Sequence, residues 1–182
     1  YKDLINFFQN RFLFFKVFVS SIPVMIIGYL LVNLGMMEKI RNLEVIAWTT
    51  FLFGFLLFIS DKFKIEKSIE KDFTLKKAIF IGILQILSLV PGVSRSGIAI
   101  TAARFLKYDR VNAARISFLL SIPTLLAVTV FGIYNIYITD SFDIIKFNFS
   151  SIVLSFIFSY ITMAVFLNYI KKASLDIFVY YR

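Results

Sequence analysis

The chain has 182 residues, 59% of them hydrophobic, with 23 Phe, 9 Tyr and a net charge of +9. Soluble domains are apolar over roughly half their length, so this composition suits helices that face lipid and excludes a soluble domain with an ordinary core. Neither Cys nor His occurs, which removes disulfides, thiolate metal sites, thiol nucleophiles and the commonest general base.

The excess charge falls in short clusters between apolar runs rather than along one face. That distribution fits attraction to anionic membrane lipids and argues against nucleic acid. The chain starts on Tyr1 and ends in a fresh apolar run, 177–182, so a piece of a longer protein is expected.

In chain order, the apolar stretches are 12–34, 45–60, 78–90, 116–138 and 149–170. A span needs about 20 residues to cross roughly 30 Å of hydrocarbon. Residues 12–34, 116–138 and 149–170 meet that length, and 45–60 meets it with its polar flanks. Lys16, in the first, reads as a snorkelling residue. Ser21-Ile22-Pro23 recurs as Ser121-Ile122-Pro123, a match short enough to arise by chance or from a shared Pro kink.

The loop 61–77 carries Lys62, Lys64, Lys67, Lys71, Lys76 and Lys77, the loop 104–115 carries Arg104, Lys107, Arg110 and Arg115, and Lys171-Lys172 ends the last span. The positive-inside rule places all three in the cytoplasm. Residues 139–148, with Asp140, Asp143 and Lys146, face outward. Arg104 and Arg115 read as positive-inside anchors, with attraction of an anionic headgroup as the alternative.

Residues 78–90 are too short to span, and their basic flanks belong on one side. A re-entrant helical hairpin over about 76–107 is therefore predicted, broken by Pro91 and Gly92. Its second arm, 97–106, is rich in Gly97, Ala99, Ala102 and Ala103, which allow close packing. The whole chain reads as one integral-membrane domain, 1–182, of all-α class: a polytopic transmembrane helical bundle.

The hairpin tip is Pro91-Gly92-Val93-Ser94-Arg95-Ser96-Gly97. An arginine at membrane depth costs about 2.5–3.5 kcal/mol on insertion scales and calls for an anionic partner, a pore or a substrate. Its planar fork matches phosphate oxygens, Ser94 and Ser96 add hydroxyl donors, and a helix starting near Ser96 adds free N–H groups. Gly92 and Gly97 let the main chain approach a ligand. The plainer alternative is an interhelical turn whose arginine snorkels while its serines cap a helix. Gln85 reads either as a pocket donor or as glue between helices.

The run Gln85-Ile86-Leu87-Ser88-Leu89-Val90 followed by that tip, together with Ala113-Ala114-Arg115-Ile116-Ser117-Phe118-Leu119-Leu120-Ser121-Ile122-Pro123, resembles the bacterial undecaprenyl-diphosphate phosphatase family, BacA/UppP. The resemblance implies hydrolysis of undecaprenyl diphosphate to the monophosphate and phosphate in the bacterial cell membrane, recycling the carrier lipid for cell-wall synthesis, with a link to bacitracin resistance. It makes Arg95 and Ser94 the catalytic candidates, Ser94 as nucleophile or donor, and Ser96, Gly92, Gly97 and Gln85 the substrate-binding ones. A divalent cation, Mg or Ca, is implied too, with ligands outside this chain. The family's glutamate-rich motif, with its nearby Ser and His, is absent here, and Ala99 stands where the family usually has Thr. Thr101 lies about 200° around a helix from that position. A polyprenyl-phosphate transporter with a midplane anion site is the competing reading.

Overall fold

The computed structural model describes residues 10–63, 67, 69–138 and 144–181. Lys64, Asp140 and Asp143, counted above among the loop charges, lie outside the described residues. The described elements are helices: α1 (Arg11–Asn33), α2 (Met36–Lys39), α3 (Leu43–Asp61), α4 (Ile69–Asp72), α5 (Leu75–Gln85), a 3-10 turn (Ile86–Leu89), α6 (Arg95–Phe105), α7 (Arg110–Ile138), α8 (Ile144–Ile170) and α9 (Asp176–Tyr181).

Side-chain oxygens at five starts accept amide protons that no helix can satisfy internally: Asn10 on α1, Asn42 on α3, Thr74 on α5, Ser94 on α6 and Asp109 on α7. α1, α3, α7 and α8 are long and apolar enough to cross a membrane. Their large apolar side chains point outward, as with Phe15 at 58% exposure, Trp48 at 73% and Phe156 at 72%. Such a surface is stable only in lipid. The protein is a multi-pass, all-α membrane bundle.

α5 and α6 form a helical hairpin that departs from and returns to one end of the bundle. The Tyr108 hydroxyl donates to the Asp72 carbonyl at 2.9 Å, and the Lys67 amide donates to the Lys107 carbonyl at 3.2 Å, which ties the two feet together. Burial, aided by the charge of Asp72, pushes the Tyr108 hydroxyl up to about 12, so it remains a donor. The hairpin is gripped by α1 against α5 and by α3 and α7 against α6. Gly82 makes the first grip possible: a Cβ there would lie 1.9 Å from the Ser20 carbonyl oxygen. Ala99, Ala102 and Ala103 are buried on α6, where their small size admits the neighbouring helices.

The end from which the hairpin rises is locked by charge. Asp61 accepts Arg110 Nε at 2.8 Å and Arg110 NH2 at 2.7 Å, and also the Leu175 amide at 3.2 Å. Arg104, read from sequence as a positive-inside anchor, is 1% exposed and donates to the carbonyls of Asp61 at 2.6 Å, Phe63 at 3.1 Å and Tyr108 at 2.8 Å. It is an internal tie between α6 and α3, because its fork meets carbonyls that the helix ends leave unpaired. Lys16 reaches the same end and donates to the Phe73 carbonyl at 2.7 Å.

α1 and α7 both rise from this end and run side by side. Ser21 Oγ lies 3.4 Å from the Leu120 carbonyl, so the two Ser-Ile-Pro triplets sit at one level of parallel helices. The structure gives them contact but no inverted relation.

Candidate functional site

The first arm of the hairpin is α5 extended by the 3-10 turn. At Val90 the backbone becomes extended, and Gly92 takes φ +89°. The turn nests against α3. Thr49 Oγ1 sits 2.6 Å from the Pro91 carbonyl, and Thr50 Oγ1 sits 3.3 Å from the Gly92 carbonyl. A Cβ on Gly92 would fall 2.2 Å from Thr49 Oγ1 and 2.6 Å from the Ile46 carbonyl. Only glycine meets both the positive φ and the close approach.

α6 then starts at Arg95. Ser94 Oγ accepts the Gly97 amide at 3.1 Å and lies 3.2 Å from Ser96 Oγ. Ser94 is therefore the cap that the plainer sequence reading foresaw, and no acid or basic group among its hydrogen-bond partners is placed to draw off its proton. The amides of Arg95 and Ser96, in the first helical turn, precede the helix's own ladder and face outward along its axis. Ser117 Oγ lies 3.4 Å from the Ser96 carbonyl, which secures this turn to α7.

The Arg95 side chain reaches across to α7, where NH1 lies 3.4 Å from Thr124 Oγ1. Thr124 is buried, and its own proton is directed to the Leu120 and Ser121 carbonyls at 3.1 and 3.0 Å, so its oxygen is left to accept. Arg95 and Thr124 line a cleft of about 410 Å³ between α1, the 3-10 turn and α7. Its other walls are mostly apolar, with Val24, Leu89, Val128 and Phe131 among them.

Depth follows from helix rise. Thr124 is 14 residues past the start of α7 at Arg110, about 21 Å up at 1.5 Å per residue. Thr49 is 12 residues from the end of α3 at Asp61, about 18 Å up. The hairpin tip and the arginine thus stand beyond the middle of a hydrocarbon layer roughly 30 Å thick.

Of the residues singled out from sequence, Arg95 alone lines this cleft. Ser94, Ser96 and Gly97 form the first turn of α6, and Gly92 shapes the loop beneath it. Gln85 is 1% exposed on the packed face of α5, does not line this cleft, and leaves its Oε1 without a partner among the described residues. Its burial places it among the helices rather than at the cleft. Sequence reading missed Thr124, Thr49 and Thr50. Each is a hydroxyl in an apolar run, the one signal that marks it.

The described residues do not fit a divalent cation. Among them no three of His, Cys, Asp and Glu converge. Asp61, buried at the far end, is already bound to Arg110 and lies 3.5 Å from Arg104 Nε.

A hairpin that re-enters the bundle and carries an arginine beyond mid-depth, into an apolar cleft, defines a multi-pass membrane protein with an anion-suited site among its helices. The family model described as bacitracin resistance protein BacA matches residues 4–182. The chain is 42% identical over all 182 residues to an undecaprenyl-diphosphatase of Pelagibacter ubique, spanning 71% of that protein. It is 36% identical over 92% of its length to an undecaprenyl-diphosphatase of a Jannaschia species, and 37% identical over 96% to one of Roseobacter denitrificans. Of those two it spans 63% and 65%, under two thirds. The chain belongs to the BacA family.

Proposed function

We propose that this chain supplies the diphosphate-gripping half of an undecaprenyl-diphosphate phosphatase in the bacterial plasma membrane, which hydrolyses the lipid diphosphate to the monophosphate and phosphate. The observation that carries the reading is Arg95: its guanidinium stands in an apolar cleft, with Thr124 as its one side-chain partner among the described residues. A half-buried fork with no carboxylate among its described partners is suited to a phosphate oxyanion.

In this reading the isoprenoid chain lies between α1 and α7, against Val24, Val128 and Phe131. The headgroup meets Arg95 and the free amides of the α6 start. Phosphoryl transfer relies on positioning and on donors aimed where charge develops, and Arg95 provides both. Ser94, as the cap of α6, holds those amides in place. A cation and a proton acceptor, where the reaction uses them, come from outside the described residues.

The test is phosphate release from undecaprenyl diphosphate by the purified full-length protein in vesicles. Release from the wild type and its loss in Arg95→Lys support the reading. Lipid moved between leaflets with no phosphate released would identify a transporter.

A further inference from the structure

A diphosphate cleaved inside an apolar cleft poses a transport problem, since water must reach the headgroup and inorganic phosphate must leave without following the isoprenoid chain. A second cavity, of about 370 Å³, lies on the other side of the hairpin tip. It shares Met37, Ser88 and Leu89 with the first, so those three side chains form the ridge between the two spaces.

The walls of the second cavity differ in kind. Neither α1 nor α7 contributes to it. Beyond the shared residues it is lined by Val90, Pro91, Gly92 and Val93 of the tip and by Arg41, from the segment joining α2 to α3. Arg41 is exposed and makes no hydrogen bond or ion pair with a described residue. The first cavity lies toward the end of the bundle opposite the Asp61–Arg104–Arg110 lock, because α1 contributes only its second half and α7 only residues from Thr124 onward, and the second adjoins it through Met37, Ser88 and Leu89.

We propose that the second cavity is a port for phosphate groups between water and Arg95, and that Arg41 is the positioning residue that draws them in electrostatically. The proposal rests on the phosphatase reading and adds a residue, a route and a ligand class to it: a phosphate anion, either the lipid headgroup on arrival or the inorganic phosphate on departure. An exposed cation at the mouth of a low-dielectric cleft concentrates anions by its field, and it needs charge rather than a particular fork. Arg41 should therefore tolerate lysine, in contrast to Arg95.

The experiment uses the full-length protein in vesicles, as wild type, Arg41→Gln, Arg41→Lys and Lys39→Gln. Lys39 is exposed, two residues away and lines neither cavity, so it controls for the loss of one charge. If Arg41 captures the headgroup, Arg41→Gln raises KM about tenfold while kcat holds, and molar salt removes the difference by screening. If it guides the departing phosphate, KM holds and inhibition by added inorganic phosphate weakens about tenfold instead. In either case Arg41→Lys stays near wild type. Calorimetric binding of inorganic diphosphate gives an arm independent of turnover, with Arg41→Gln weaker than wild type. A wild type that binds diphosphate through Arg41 and releases no phosphate would thus remove the enzyme reading alone. Arg41→Gln indistinguishable from Lys39→Gln in KM, phosphate inhibition and diphosphate binding would overturn the port, as would Arg41→Lys as impaired as Arg41→Gln.

Discussion

Arg104 donates to the main-chain carbonyl of Asp61 at 2.6 Å, while the Asp61 carboxylate accepts both prongs of Arg110. The foot of the hairpin is thereby fastened to the end of α3 and the start of α7. Lysine at position 104 keeps the charge but cannot serve the three carbonyls together. Arg104→Lys should cost about 2 kcal/mol, lowering Tm in detergent by roughly 4–8 °C. A thermal melt with no change would return Arg104 to the role of a simple cytoplasmic anchor. Asp61→Asn should be more severe, because it leaves the buried Arg104 and the partly exposed Arg110 short of their counter-charge.

Arg95→Lys should behave in the opposite way. Arg95 has one long side-chain contact in the described structure, so little stability depends on it, and the melt should match wild type. Phosphate release by the full-length protein should fall about a hundredfold, near 3 kcal/mol in the transition state, as the two-pronged grip on phosphate is lost. Equal activity in the two proteins would make Arg95 a snorkelling residue and the tip a plain turn.

Gly92→Ala should disturb the tip although it adds one methyl group. The new Cβ would lie 2.2 Å from Thr49 Oγ1 with φ at +89°, so either the loop lifts from α3 or the backbone is strained, at about 1–3 kcal/mol. Gly35, also at positive φ, has nothing within 4 Å of an added Cβ. Gly35→Ala therefore carries the conformational penalty without the collision, and proteolysis or hydrogen exchange at residues 86–95 should rise in Gly92→Ala alone.

The absence of native cysteine makes topology directly testable. Lys76 and Lys171, both exposed, stand at the end of the bundle that holds the Asp61 lock, and Lys39, also exposed, stands at the other. Cysteines at 76 and 171 should be labelled from one side of the membrane and a cysteine at 39 from the opposite side. Labelling of 76 and 171 from different sides would dissolve the hairpin.

Expressed by themselves, these 182 residues should release no phosphate from a polyprenyl diphosphate. The sequence has no His, and among the described residues no acid lies beside Arg95 to hold a cation or accept a proton. Turnover by the purified piece, with contaminating phosphatases excluded, would show that the glutamate-rich motif of the family is unnecessary.

Hydropathy located the long spans, and a run too short to cross, its basic flanks and the Pro91-Gly92 break together marked the hairpin, because all of these are local properties of the chain. The arginine in a small-residue loop was equally legible, since its burial cost needs no partner to be recognised. Which side chains meet was not legible. Lipid-facing helices are apolar nearly all round, so periodicity does not say which face packs inward. From sequence Arg95 read as the fork at the tip and Arg104 as a charged anchor at the foot of the second arm, with no sign of what either would touch. Only tertiary packing brought three carbonyls to one and an apolar cleft with Thr124 to the other. Gln85 and Ser94 were separated from that cleft for the same reason: the direction of a side chain is decided by the helices that close around it, α1 and α7 here, and those contacts join residues distant in sequence.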